Sequence, residues 1–175
     1  RGEAMAPQPT PAAATMGAVN TLVCGPPCAG KTTWIAEHAP PGATVICYDT
    51  TAAALGHRGP GRPPFKLGRA AEAEVQRQLA RLERGEITGA YVIRTMAGAA
   101  RRDELAARIR ATIVLLVPDR DELMRRAAQR HDPATTMRDI DRWLAQEAAG
   151  TYVHRGTERQ PEAPARSATG QRWVL

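Results

Sequence analysis

The sequence predicts an α/β protein, a three-layer arrangement in which a parallel sheet carries helices on both faces. Four apolar runs lie at about 19–24, 44–48, 90–93 and 112–117, and segments of helical periodicity alternate with them. The runs are apolar almost throughout, which is typical of strands that are covered on both sides. In such sheets functional side chains gather at the carboxyl ends of the strands, so the residues that follow each run are the candidates for chemistry.

The segment after the first run carries two glycines five positions apart, then a lysine and two threonines. This pattern, between a strand and a helix predicted at 31–38, indicates a P-loop, because glycines let backbone N–H groups curl around phosphate oxygens. Lys31 is expected to reach the β- and γ-phosphates of ATP, and the Thr32 hydroxyl to hold Mg²⁺. The alternative is a chance glycine-rich turn. The residues predicted to bind the nucleotide are Gly25, Pro26, Pro27, Cys28, Ala29, Gly30, Lys31, Thr32 and Thr33.

The second apolar run closes on Asp49, and its strand is expected beside the first one in the sheet. Asp49 is therefore a candidate to orient or deprotonate an acceptor hydroxyl, or to hold Mg²⁺ through water. Its alternative role is the N-cap of a short helix predicted at about 50–56. Residues 57–68 hold several glycines and prolines and are predicted to form a basic loop, followed by a helix at 69–84.

The third run closes on Arg94, where a phosphate-binding or acceptor-binding guanidinium is predicted. Arg101 and Arg102 begin the next helix, at about 99–110, and are further candidates. Lysines are scarce, since 22 of the 24 basic residues are arginines and the formal net charge is +6. A genome rich in G and C accounts for this composition, and so does an anionic partner or substrate.

The fourth run precedes a helix predicted to extend to about residue 130, with Asp119 and Glu122 as its capping box. Arg126 and Arg130 lie one helical turn apart near its end and predict a short arginine lid over the β- and γ-phosphates. The alternative for these two arginines is a solvated helix face. A last helix is predicted at about 136–149, where apolar residues recur on one face.

The two ends of the chain are poor in residues that form a core. Residues 1–17 are predicted to be a disordered tail, and 151–175 a polar tail in which 172–175 is a candidate edge strand. No secretory signal and no long apolar span is evident, so a cytoplasmic protein without a membrane partner is expected. The three cysteines and four histidines lack the spacing of a zinc site.

Two classes of nucleotide-binding protein are disfavoured by what the sequence lacks. Ras-type GTPases read the base with an Asn-Lys-x-Asp element, whereas the only asparagine here is Asn20. Helicase-like and AAA+ motors need an apolar strand that ends in Asp-Asp or Asp-Glu. The third run instead ends in Arg94-Thr95, and the fourth is followed by Pro118-Asp119.

Several motifs together resemble a known group of proteins. GPPCAGKTT, the run closing on Asp49, IRT before an arginine-bearing helix, VLLVPDRDELMRRAAQR and IDRW are similar to the small AAA-type P-loop proteins of actinobacteria and their phages. Those proteins resemble the polynucleotide kinase, zeta-toxin and gluconate kinase branch of P-loop kinases. The resemblance covers about residues 19–149 and implies a five-stranded sheet of order 2-3-1-4-5. It also implies an acid/base position for Asp49 and a lid position for Arg126 or Arg130.

The sequence thus predicts an ATP-binding protein, in the first interpretation a phosphotransferase. Its acceptor is then a nucleotide, a nucleic-acid end or another small polar metabolite, and an anionic acceptor suits the arginines. The alternative interpretation is a non-kinase ATPase or nucleotide-sensing module that acts with DNA or a protein partner. Lys31, Asp49, Arg94, Arg126 and Arg130 are the predicted catalytic residues, and Thr32 and Asp49 the predicted metal ligands.

Overall fold

A computed structural model describes residues 19–150, which form one parallel four-stranded sheet and six helices. The strands lie in the order β2-β3-β1-β4, so the α/β class is confirmed and the order matches the first four strands of the expected 2-3-1-4-5 arrangement. The segment 172–175 and both tails fall outside the described residues. The elements are β1 (Asn20–Cys24), α1 (Lys31–His38), β2 (Val45–Ile46), α2 (Tyr48–Ala54), α3 (Phe65–Glu83), β3 (Tyr91–Arg94), α4 (Ala99–Ile109), β4 (Ala111–Leu115), α5 (Arg120–Ala127) and α6 (Pro133–Gly150).

The central strand β1 is covered on both of its faces. Leu22 and Cys24 belong to a core that includes Val75 and Leu79 of α3 and residues of α4. Val23 points to the opposite face, because successive strand side chains alternate, and it is also fully buried. Burial on both faces explains why this strand is continuously apolar, as the sequence predicted.

A second, smaller core lies between the loop after β1 and the last two helices. Ala29 of that loop packs in one cluster with Leu123 and Ala127 of α5 and Ile140 of α6. Leu116, which follows β4, packs against the same cluster. The glycine-rich loop is therefore fixed by α5 and α6 as well as by the sheet.

The single asparagine, Asn20, joins three elements at the start of β1. Its side-chain amide donates to the carbonyl of Ile109 at 2.7 Å, and its side-chain oxygen accepts from the backbone N–H of Ala90 at 2.9 Å. Both bonds are buried, so they satisfy backbone groups that end α4 and precede β3.

The second strand is shorter than expected, and Asp49 does not end it. β2 stops at Ile46, because α2 starts directly after it. The Cys47 carbonyl accepts hydrogen bonds from the Thr51 backbone N–H at 3.0 Å and from the Thr51 hydroxyl at 2.8 Å. Asp49 lies in the first turn of α2, whose N-cap is Cys47, so the N-cap alternative was wrong. The strand neighbour was also wrong, since β3 lies between β2 and β1.

The loop after α2 ends earlier in the chain than the sequence predicts. Gly56 has a φ of 103°, and the Gly56 and His57 backbone N–H groups bond back to the carbonyls of Ala53 and Ala52, which ends the helix in a Schellman motif. The next helix begins at Phe65 rather than 69. Gly68, which looked like a helix breaker, lies in its first turns. A Cβ there would collide with the Tyr48 hydroxyl.

The last two helices also differ from their predictions at the ends. α5 stops at Ala127, and its N-cap Asp119 makes no side-chain capping bond, so the predicted capping box is wrong. Glu122 instead binds arginines of its own helix. α6 starts at Pro133, because the Asp132 carboxylate accepts the Thr135 backbone N–H at 3.0 Å and a proline fits the first helical position.

Candidate active site

The glycine-rich loop leaves β1 against the backbone that follows β4. The Leu116 N–H donates to the Cys24 carbonyl at 2.9 Å, which extends the ladder past the end of β4. A Cβ on Gly25 would lie far inside van der Waals contact with the Leu116 carbonyl oxygen, so no other residue fits here. At the far end, the Gly30 carbonyl accepts the Trp34 N–H at 2.9 Å and α1 begins.

The side chain of Lys31 bonds back to the backbone at the start of this loop. Its Nζ donates to the carbonyls of Gly25 at 2.9 Å and Pro26 at 2.6 Å. Burial lowers the pKa of Lys31 to about 8, because the ammonium has lost much of its hydration. A half-buried ammonium whose partners among residues 19–150 are carbonyl oxygens is suited to bind a strong anion, which would raise its pKa again.

Arg126 reaches the same loop from α5. Its Nη1 donates to the Cys28 carbonyl at 3.1 Å, while its Nε donates to Glu122 at 2.7 Å. The lid position predicted for Arg126 is thus next to the loop. Arg130 is not one turn further along the helix, because α5 has ended at Ala127, but it lines the same cleft.

An open cleft of about 2210 Å³ runs along the carboxyl edge of the sheet. Its lining includes residues 27–33, which comprise most of the glycine-rich loop and the start of α1. The other two predicted loop residues, Gly25 and Pro26, do not line it. The predicted residues outside the loop that line it are Asp49, Arg94, Arg101, Arg126 and Arg130. Arg102 is the exception among the candidates.

Comparison with known protein families agrees with this geometry. A family model described as an AAA domain matches residues 21–149, which is most of the chain. The chain belongs to this family. No curated protein matches it. The match runs from β1 to the end of α6, so the glycine-rich loop is the P-loop of an AAA domain and the protein is a nucleotide-binding, NTPase- or kinase-like one.

Arg94 of the AAA domain lies where the sequence predicted, at the carboxyl end of β3. It pairs in register with Cys24, the last residue before the P-loop. Its Nη1 and Nη2 donate to Glu72 of α3 at 3.1 and 3.0 Å, and its Nε is buried without a hydrogen-bond partner in the described part of the chain. Burial acts to raise the pKa of Glu72, but hydrogen bonds from Arg94 and Gln76 hold it below its usual value.

Sequence reasoning missed Glu72 as a site residue, and it mistook the role of Arg102. Arg102 is buried in the AAA domain and binds Glu147 of α6 through two hydrogen bonds of 2.6 Å. Glu147 also accepts the Gly98 N–H at 2.8 Å. Arg102 therefore fixes the segment between β3 and α4 instead of facing the cleft.

The predicted metal ligands, Thr32 and Asp49, both line the cleft. No group of three or more His, Cys, Asp or Glu side chains suited to a metal ion occurs among residues 19–150. A hydroxyl and a carboxylate fit Mg²⁺, which keeps several waters and takes its remaining ligands from phosphates. None of the helices in the described part of the chain is long and apolar enough to cross a membrane.

Proposed function

We propose that this AAA-domain protein transfers the γ-phosphate of ATP to a hydroxyl or phosphate of a nucleotide, nucleic-acid end or small polar metabolite. One observation carries the proposal: a single cleft contains the P-loop together with a carboxylate, Asp49, and a guanidinium, Arg94, on other walls. Its volume of about 2210 Å³ exceeds the roughly 300–1,000 Å³ of an ordinary small-molecule pocket. There is room for an acceptor beside the nucleotide.

The P-loop side of the cleft supplies the groups that the donor needs. The backbone of residues 25–30 and Lys31 would bind the phosphates, and Arg126 already lies against the loop at the Cys28 carbonyl. Thr32, and Asp49 through water, would hold Mg²⁺, which would supply positive charge to the phosphates. Positive groups at these positions stabilise the charge that spreads over the transferring phosphoryl oxygens.

The other walls supply the groups that an acceptor needs. Asp49 lies exposed in the first turn of α2, where its carboxylate can accept the proton of an acceptor hydroxyl. Arg94 presents a cation at the end of β3, beside the strand that leads into the P-loop. Proton acceptance and anion binding are thus supported by different elements of the fold.

The alternative function is an ATPase or nucleotide-sensing module that works with DNA or a protein partner. The basic loop between α2 and α3 supports it, because the Arg62 side chain is 78% exposed even though it binds Asp139. Its phosphate contacts with DNA would make binding fall steeply as salt rises. The end of β3 disfavours this alternative, since it carries Arg94 and not the Asp-Asp or Asp-Glu pair with which a motor protein polarises water.

The test is transfer of labelled γ-phosphate from ATP to a panel of nucleosides, nucleotides, 5′-hydroxyl oligonucleotides and sugars. Asp49→Asn should slow transfer by about 100-fold or more, while binding of the non-hydrolysable analogue AMP-PNP measured without Mg²⁺ is unchanged. Asp121→Asn is the matched control, an exposed aspartate in the first turn of α5 that does not line the cleft. Release of phosphate to water with every acceptor would overturn the proposal.

A further inference from the structure

A small side pocket of about 170 Å³ adjoins the acceptor end of the cleft. It lies between α3 and α4 and shares four lining residues with the cleft: Gln76, Arg94, Met96 and Arg101. No part of the P-loop lines it. Its volume corresponds to a few water molecules, each of which occupies about 30 Å³ in the liquid. A single tetrahedral anion fits this space, whereas a nucleotide does not.

The side pocket is lined by more cations than anions. Arg94, Arg101 and Arg108 contribute three guanidinium groups, and Glu104 is the one carboxylate in the lining. The Nη2 of Arg108 already forms an ion pair with the carboxylate of Glu83 of α3, at 2.5 Å. Arg101 is exposed and has no hydrogen-bond or ion-pair partner among residues 19–150. Arg101 is therefore the cation that is available to a ligand.

Arg94 is the second cation, and its bonding is incomplete. Glu72 takes one hydrogen bond from each terminal nitrogen, which fixes the plane of the guanidinium. The Nε of Arg94 is buried and has no hydrogen-bond partner among residues 19–150, so one donor of this side chain is unsatisfied there. A guanidinium has five N–H donors, so each terminal nitrogen also keeps a second N–H that an anion in the pocket can accept from. Gln76 holds Glu72 in place from the next turn of α3 at 2.7 Å.

We propose that this side pocket binds a phosphate monoester carried by the acceptor, with Arg94 and Arg101 as the binding residues. Glu72 is a positioning residue, because it acts through Arg94. The inference rests on the proposed phosphotransferase function and narrows it. The acceptor is a small molecule that already bears one phosphate, and the group that receives the new phosphoryl lies in the main cleft beside Asp49.

Binding is tested without any transfer reaction. The P-loop is saturated with AMP-PNP and Mg²⁺, and inorganic phosphate is titrated by calorimetry at constant ionic strength. Arg101→Gln and Arg94→Gln should each weaken phosphate binding at least tenfold and leave the affinity for AMP-PNP unchanged. The control is Arg77→Gln, which removes an equal charge from an exposed arginine of α3 outside both cavities. Equal phosphate affinity in the wild type and Arg101→Gln, or equal losses in Arg77→Gln, would overturn the inference.

Transfer is then compared within matched pairs of acceptors, such as adenosine with AMP and glucose with glucose 6-phosphate. The phosphorylated member should have at least a tenfold higher kcat/KM, and Arg101→Gln should abolish this advantage. Glu72→Gln should raise KM for the phosphorylated member alone, whereas a merely structural loss would change KM for ATP as well. Transfer only to unphosphorylated acceptors would overturn the phosphate-binding role of the side pocket and leave the proposed phosphotransferase function intact. Phosphate binding that depends on Arg101, with no transfer to any acceptor, would support the pocket and overturn the phosphotransferase.

Discussion

The buried ion pair between Arg102 and Glu147 offers the sharpest test of what holds this fold together. The side chains of Arg102 and Glu147 are 5% and 19% exposed, and two hydrogen bonds of 2.6 Å join them. Glu147→Ala would leave the guanidinium of Arg102 buried, with the Met96 carbonyl at 3.3 Å as its one remaining hydrogen-bond acceptor among residues 19–150. Removing one partner of such a pair costs about 3–5 kcal/mol, because a buried charge is left without compensation.

Two further variants separate the charge effect from general damage to α6. Replacing both partners by methionine should recover more than half of the loss, since no buried charge then remains. Asp141→Ala is the matched control, because Asp141 is also an α6 carboxylate bound to an arginine of another helix. Its pair with Arg120 is 51% and 58% exposed, so its loss should stay below about 1 kcal/mol.

The measurement is urea unfolding, followed by far-ultraviolet circular dichroism at several pH values. Hydrogen bonds from Arg102 hold the pKa of Glu147 below its ordinary value of 4.5. The stabilisation from this carboxylate is therefore complete above that value and is lost as the pH falls through the folded-state pKa. Glu147→Ala should lack this part of the acid destabilisation. A loss no larger than that of Asp141→Ala, or an unchanged pH dependence, would refute the reasoning.

Two other predictions concern the P-loop. Gly25→Ala should destabilise the protein by about 2–5 kcal/mol and abolish AMP-PNP binding, because its Cβ would overlap the Leu116 carbonyl at a φ of 153°. Gly59→Ala, where a Cβ meets nothing within 4 Å, should change neither quantity in the same unfolding and binding titrations. Arg126→Gln should slow phosphoryl transfer about 100-fold with little change in ADP affinity. Arg125→Gln, which lies outside the cleft, should retain the wild-type rate, and equal losses in the two variants would contradict the lid role.

The parts of this fold that the sequence predicts well are those set by local patterns. The strands at β1 and β3 and the helices α1 and α4 lie within a residue or so of their expected positions. The P-loop is equally local, since its glycines, Lys31 and Thr32 are neighbours in the chain and their roles follow from spacing. The ends of helices were harder to predict. Glycine and proline often end a helix, but Gly68 lies in the first turns of α3 and Pro133 begins α6.

What the sequence could not show is pairing over long distances. Arg94 meets Glu72 and Arg102 meets Glu147, and no spacing rule relates either pair. The sequence also could not show how deeply each strand is buried, as the fourth apolar run at 112–117 illustrates. It forms β4, the last strand in the described sheet, where Leu115 is 42% exposed and Val117 just after it is 45% exposed. Apolar composition predicted a strand there, but the position of that strand in the sheet is decided by its partners.

The pairing of β1 with β3 determines which side chain lies beside the start of the P-loop. The register places Arg94 beside Cys24, so a guanidinium lies at the carboxyl edge of the sheet next to the P-loop. Glu72 binds that guanidinium from α3 and balances its charge, so the positive charge available at this end of the cleft is that of Arg101. Asp49, the carboxylate proposed to accept the proton, is exposed and lies on a different element, α2. This separation of the two charges is the physical reason to expect a phosphoryl acceptor that is itself anionic.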